Sequence, residues 1–191
     1  MKGKKEKGKF GLIVFIIFIM IGTSVSFVLF NFQPQNDVIK YKGIRFVKYT
    51  DRWEAAINGN SAAFSFLPNE VENIIISGDS IKRLQDKFEI DSTYDLNSTY
   101  KESIALAQHQ MSLTLSAYNI YLRKGFTENN TYEIPVISCR DSTQNVPVVY
   151  FTYGNETSIH LDGDCVVAQA KGNIDFIRLK DRILYGILRV I

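Results

Sequence analysis

From Phe10 to Phe30 the chain carries no charged residue, and nothing else in its 191 residues constrains it as strongly. As a helix this stretch rises about 31 Å, which matches a bilayer hydrocarbon core of roughly 30 Å. Lipid offers the backbone no hydrogen-bond partners, so a segment there must satisfy its own, as a helix does. Directly before the run, residues 1–9 hold five lysines and one glutamate. Such a cluster stays on the cytosolic side of a membrane. Residues 1–9 are therefore read as a cytosolic tail and residues 10–30 as a transmembrane helix in the lipid bilayer. Residues 31–42 follow as a polar linker with Pro34, and residues 43–191 as a domain outside the cytosol, tethered at the cell membrane by a single pass.

Two other readings of the N-terminus also export the domain. In the first, Phe10–Ile21 is the apolar part of a signal peptide cleaved near Ser24-Val25-Ser26. Phe27-Val28-Leu29-Phe30 continues the apolar run past that site, which favours a retained anchor. In the second, a pilin-like structural subunit is cut after Lys7-Gly8 and begins at Lys9. Pilin-like sequences place a glutamate five residues beyond the cut, where this chain has Ile13.

Charge excludes one class of partner. Beyond residue 9 the chain holds 17 basic and 19 acidic residues, a balance with no basic face for a nucleic-acid backbone. The two cysteines, Cys139 and Cys165, stand in no C-x-x-C pattern. In an oxidising compartment they form a disulfide; two buried free thiols are the alternative. Three N-glycosylation acceptor patterns, at Asn97, Asn129 and Asn155, all fall in the exported part.

Period-two alternation over Ile44–Tyr49, Trp53–Ile57 and Ala62–Leu67, with the turn pair Asn58-Gly59, predicts a three-stranded meander over 43–67. A helical turn over Asn69–Ile74, a short buried strand at Ile74–Ile76 and a helix from Ser80 to about Phe88 follow. Thr99-x-x-Glu102 reads as a capping box. Tyr100, Ile104, Ala107, Met111, Leu115, Tyr118 and Leu122 then recur at threes and fours, with Leu106, Leu113 and Ile120 widening the stripe. Gly125 reads as the left-handed stop of a central helix of about 25 residues. Tyr132–Cys139, Val146–Tyr153, Thr157–Leu161 and Cys165–Gln169 read as strands, and Ile174–Val190 as a second helix. Its cations Arg178, Lys180, Arg182 and Arg189 allow packing on a sheet or, alternatively, lying on a membrane surface. The whole is an α+β fold: an N-terminal transmembrane helix, then one extracytoplasmic domain of antiparallel β-meanders packed on a long central helix and a C-terminal helix.

Catalytic motifs are missing from the sequence. It holds no Gly-x-Ser-x-Gly, no His-Glu-x-x-His, no phosphate loop and no dinucleotide fingerprint, and nothing points to a cofactor. His160-Leu161-Asp162-Gly163-Asp164-Cys165 is the densest polar cluster and includes metal-ligating residue types. Strand alternation and the Asp162-Gly163 pair make it a hairpin turn first. His109 falls on the polar side of the central helix. A non-catalytic envelope module that binds a protein or glycan partner is the expectation, with a membrane-tethered envelope hydrolase as the alternative. The hydrolase requires a concavity joining His109 or His160 to carboxylates.

Cys139, Tyr153-Gly154-Asn155-Glu156-Thr157, Cys165-Val166-Val167 and the helix Asp175-Phe176-Ile177-Arg178 through Asp181-Arg182-Ile183-Leu184-Tyr185-Gly186 resemble uncharacterised single-pass membrane-anchored proteins of archaea. The resemblance covers the C-terminal third. It implies an archaeal envelope setting and lends no catalytic residues.

Overall fold

The computed structural model describes residues 10–22 and 37–191. Residues 10–22 form helix α1, whose side chains are exposed throughout. At 1.5 Å per residue it rises about 20 Å, and among the described residues no helix is long and apolar enough to cross a membrane. The last eight residues of the expected span (23–30), the tail (1–9) and the first half of the expected linker (31–36) lie outside the described residues.

The unit from Asp37 to Ile191 is built on two sheets. The first is an antiparallel meander of β1 (Val38–Tyr41), β2 (Ile44–Lys48), β3 (Trp53–Ile57) and β4 (Asn60–Phe64). Its two tight hairpins use left-handed pairs, Lys42 and Gly43 at φ 46° and 84°, and Asn58 and Gly59 at φ 50° and 86°. Consecutive positive φ values match the right-handed twist of the strands they join. The Lys42-Gly43 pair makes β1 a strand where the sequence reading placed a linker. Phe46, Ala55 and Ala62 lie opposite one another and face the core, as do Trp53 and Phe64 one pair further along.

The second sheet is mixed. It comprises β5 (Ile75–Ile76), β6 (Glu89–Tyr94), β7 (Tyr121–Phe126), β8 (Val148–Tyr153), β9 (Ser158–Asp162) and β10 (Cys165–Ala170), in the spatial order β5-β9-β10-β8-β6-β7. β10, β8, β6 and β7 run parallel, and β9 opposes β10. The α+β class therefore holds, and the expectation of antiparallel meanders holds for the first sheet alone. Between Phe126 and β8, Tyr132–Cys139 is not a strand: Val136 makes a single bridge to Phe126, and Cys139–Asp141 is a 3-10 turn.

Two corrections explain the mixed sheet. The central helix α4 spans Lys101–Ser116, much shorter than its apolar spacing predicts. Asn119 takes φ 58°, and the chain returns as β7 in six-residue parallel register with β6. Leu122 and Phe126 are buried from a strand, not from a helix. Gly125 is required by contact: a Cβ there would stand 2.6 Å from Ile137 Cδ1. The N-cap of α4 is Tyr100, with no side-chain cap, so the Thr99–Glu102 box is not formed. Leu106 and Leu113 are exposed and do not widen the buried stripe.

β6 itself escaped the sequence reading because its centre, Asp91-Ser92-Thr93, is polar. Each of these buried groups is nevertheless satisfied. Arg123 forks onto Asp91 through Nε at 2.7 Å and Nη2 at 2.6 Å. Gln108 donates to Ser92 at 2.9 Å, and Thr93 donates to the Ile137 carbonyl at 2.7 Å. Buried polar groups survive in a core when paired in this way.

Helices α2 (Pro68–Val71), α3 (Ser80–Leu84) and α5 (Asn173–Ile187) complete the domain. α3 ends short of Phe88, which is exposed. α5 is buried on nearly every side, Lys180 and Asp181 included, so it cannot also lie on a membrane surface. On one side Tyr185 stacks on Phe64 of the meander with ring centroids 4.1 Å apart; on another the helix packs on β10. α4 guards the open edge of β4: Thr114 Oγ1 donates to the Ala63 carbonyl at 3.1 Å. The Tyr118 hydroxyl shares its hydrogen between Ile57 and Asn60 carbonyls at 3.0 and 3.2 Å. Burial pushes that phenol up to about 12. The Ala63 carbonyl, occupied in this way, is one group of the edge strand no longer open to pairing with another chain.

Gly186 marks the closest approach of α3 to α5, since a Cβ there would meet Ile81 Cγ2 at 2.4 Å. Gly186→Ala should therefore destabilise the domain by about 1–2 kcal/mol in urea titrations, the clash outweighing about 1 kcal/mol of helix propensity. In an Ile81→Ala background the same change should become neutral or stabilising.

Candidate functional site

A cleft of about 510 Å³ opens between α4 and the β3–β4 side of the meander. Its apolar wall is Phe64 with the exposed Leu106 and Leu113 of α4. His109 and Gln110 lie between those leucines on the same helix face, and Gln110 Oε1 accepts from Ser65 Oγ at 3.4 Å. At the rim, Arg52 binds Glu54 at 2.7 Å and reaches Asp51 at 3.4 Å. The volume falls within the range of small-molecule sites, roughly 300–1,000 Å³.

The side chain at the bottom is Lys180, 1% exposed and yet part of the lining. Its ammonium lies 2.5 Å from Asp181 Oδ1. The other carboxylate oxygen, Oδ2, accepts the backbone N–H groups of Ser65 and Phe66, each at 2.8 Å. Burial drives the Asp181 carboxyl above its ordinary range, with Lys180 and the two N–H donors pulling the other way. An ammonium carries three hydrogens and no acceptor. The ion pair with Asp181 is the contact the structure gives this ammonium, and the Lys180 side chain also lines the cleft. Two buried charges are costly to desolvate, and an apolar pair of similar volume often stabilises a fold equally well or better.

Lys180 was legible as a cation but not as a buried one. The available signal was its position, four residues after Phe176 and three before Ile183, which places it inside the apolar stripe of α5 instead of opposite it.

A second concavity, about 350 Å³, lies on the far face of the mixed sheet. His160 and Asp162 line it from β9, with Tyr150, Ser138 and Cys139 across from them. Ser138 is not a poised nucleophile: its hydroxyl donates to Asp141 Oδ2 at 2.9 Å, and its N–H reaches the same oxygen at 2.8 Å. Those two donors hold the Asp141 carboxyl below the usual carboxylate range. The hairpin turn falls one residue later than expected, at Gly163-Asp164 with Gly163 at φ 59°, and Asp162 ends β9 paired with Cys165. Asp164 points away to Arg83 at 2.6 Å, and Cys165 is bonded to Cys139. The polar run at 160–165 thus does not converge. Among the described residues no group of three or more His, Cys, Asp or Glu is placed to hold a metal ion.

The Cys139–Cys165 disulfide forms as expected, with Cα atoms 5.1 Å apart. It fastens the 127–147 segment over the far face of the sheet, where Ile137, Val148 and Cys165 make a small second core. The acceptor residues Asn97, Asn129 and Asn155 are all exposed, in the loops after β6, β7 and β8. Comparisons with protein-family models, with curated proteins and with solved structures give no match to this chain.

Replacing both Cys139 and Cys165 by alanine should cost about 3.5 kcal/mol, from the entropy of closing a loop of this length, measured by guanidinium unfolding of oxidised and variant protein. Because the folded Asp141 carboxyl titrates below its unfolded value, its contribution is complete above the ordinary carboxylate range and is lost as pH falls through and below it. Asp141→Asn should flatten the acid limb of a stability–pH curve and leave the neutral region parallel to wild type.

Proposed function

We propose that this chain is a membrane-tethered, extracytoplasmic binding module of the cell envelope, and that the α4–β4 cleft receives its ligand. The tether is supported by the uncharged run Phe10–Phe30 behind a lysine cluster and by α1, whose exposed apolar side chains on every side call for apolar surroundings. The disulfide fits an oxidising compartment.

The single observation carrying the ligand reading is Lys180, buried to 1% exposure beneath an open cleft. A floor cation under a wall of Phe64, Leu106 and Leu113 suits a carboxylate joined to an apolar body, such as the free C-terminal end of a peptide with an apolar last residue. The carboxylate takes the spare ammonium hydrogens, and the apolar part covers the leucines.

With the full chain in detergent, titration calorimetry against such peptides should give binding that Lys180→Met weakens by tenfold or more. That is the equivalent of a charge-assisted hydrogen bond of about 1.5–3 kcal/mol. Leu113→Glu, on an exposed site, should weaken binding by charge repulsion while leaving the thermal midpoint unchanged. Peptide affinity indifferent to both changes would remove the cleft from the account.

A membrane-tethered hydrolase is the second reading, and one observation favours it: His109 lines the same cleft as Glu54 and Asp51. It requires His109→Ala to abolish turnover of a bound ester or amide while binding persists.

A further inference from the structure

The asparagines of the acceptor triplets are far apart in sequence, and the order of the mixed sheet brings them together. β8, β6 and β7 are neighbours and run parallel, so their carboxyl ends share one pole of the domain. Each acceptor follows one of those ends: Asn155 after Tyr153, Asn97 after Tyr94, and Asn129 after Phe126. With neighbouring strands about 4.8 Å apart, the three loops leave the sheet along one short edge. Side chains tie them to one another. Tyr153 stacks on Tyr100, the residue following Asn97-Ser98-Thr99, with centroids 5.1 Å apart. Asn97 Nδ2 reaches Glu128 Oε2, next to Asn129, at 3.5 Å. All three asparagines are exposed.

A separate observation bears on the third triplet. Thr157 Oγ1 is buried and has no hydrogen-bond partner among the described residues. Burying an unpaired hydroxyl is unfavourable, and valine offers nearly the same shape without one. Among the described residues no group of the folded domain bonds this oxygen. The triplet Asn155-Glu156-Thr157 makes use of it, because the acceptor pattern requires a hydroxyl at its third position. A residue that costs the fold and completes the pattern points to recognition before the domain closes, while the chain is still extended.

We propose that this pole is a glycan-bearing face, with N-linked oligosaccharides on Asn97, Asn129 and Asn155 added as the chain emerges outside the cytosol. In each transfer the side-chain amide nitrogen bonds to the anomeric carbon of an oligosaccharide carried on a polyprenyl phosphate. The bond from that carbon to the phosphate oxygen breaks, the lipid phosphate leaves with the electron pair, and the amide gives up one hydrogen as a proton. The cleft lining belongs to other segments, so the glycans mark a pole distinct from the proposed ligand site.

The test is intact-mass and peptide-mapping spectrometry of the full chain purified from the membranes of its own cells. The comparison is between wild type and the single variants Asn97→Gln, Asn129→Gln and Thr157→Val. Glycan on at least two of the three asparagines is expected, each variant losing the mass of one occupied site. Thr157→Val should keep or raise the thermal midpoint, which separates loss of the acceptor from loss of the fold; a lowered midpoint would show that the hydroxyl serves the fold and would undo that part of the argument. Unmodified peptides at two or three sites overturn the proposal. Export is scored on the same cells by whether a membrane-impermeant amine reagent labels the domain. A labelled but bare domain overturns the glycan face and leaves the exported reading standing; an unlabelled, bare domain overturns both.

Discussion

The domain depends on one helix being accepted as core by two sheets at once. α5 meets the meander through Tyr185, stacked on Phe64 and edge-on to Phe46, and meets the mixed sheet through β10. Packing alone would let such a helix slide. Hydrogen bonds fix its register: Asp181 takes the N–H groups of Ser65 and Phe66, and the Tyr185 hydroxyl donates to the Phe66 carbonyl at 2.7 Å. The two ends of one dipeptide are thus held from successive turns of α5. Since β4 stops at Phe64, these bonds replace ladder partners that Ser65 and Phe66 would otherwise lack.

That clamp also creates the cleft. Holding Asp181 toward β4 places the neighbouring Lys180 in the lining of the cleft beside β4 and α4, paired with Asp181. The structural element and the proposed binding element are adjacent residues of one helix turn. Tuning the ligand site without disturbing the clamp is therefore confined to the cleft walls, where Leu106, His109 and Leu113 are exposed and carry little of the fold.

The mixed sheet follows a different logic. Its strand β6 is polar at the middle and works because partners arrive from three directions: Arg123 from β7, Gln108 from α4 and Ile137 from the disulfide-fastened segment. The crossover β6–α4–β7 then places the ends of parallel strands at one pole, where the acceptor loops gather. No local pattern announces such a strand, because alternation reports on apolar side chains, and here both faces are buried with polar groups satisfied at a distance.

What the chain determined unaided were the features set by neighbours in sequence: the Asn58-Gly59 turn and, to within one residue, the hairpin turn at Gly163, the alternation of β2, β3 and β8 to β10, the apolar stripe of α5, and the pairing of two lone cysteines. The close contact at Gly186 was likewise marked by a glycine out of place in a helix. The tertiary structure alone decided where α4 ends, since Leu122 satisfies helical spacing and strand pairing equally until β6 is beside it. It alone buried Lys180, and it alone brought Asn97, Asn129 and Asn155 to a single edge. The reason is physical: turn geometry and amphipathic periodicity are written in residues a few positions apart, whereas burial of a charge and adjacency of loops depend on which strand is chosen as neighbour, a choice made by the whole core.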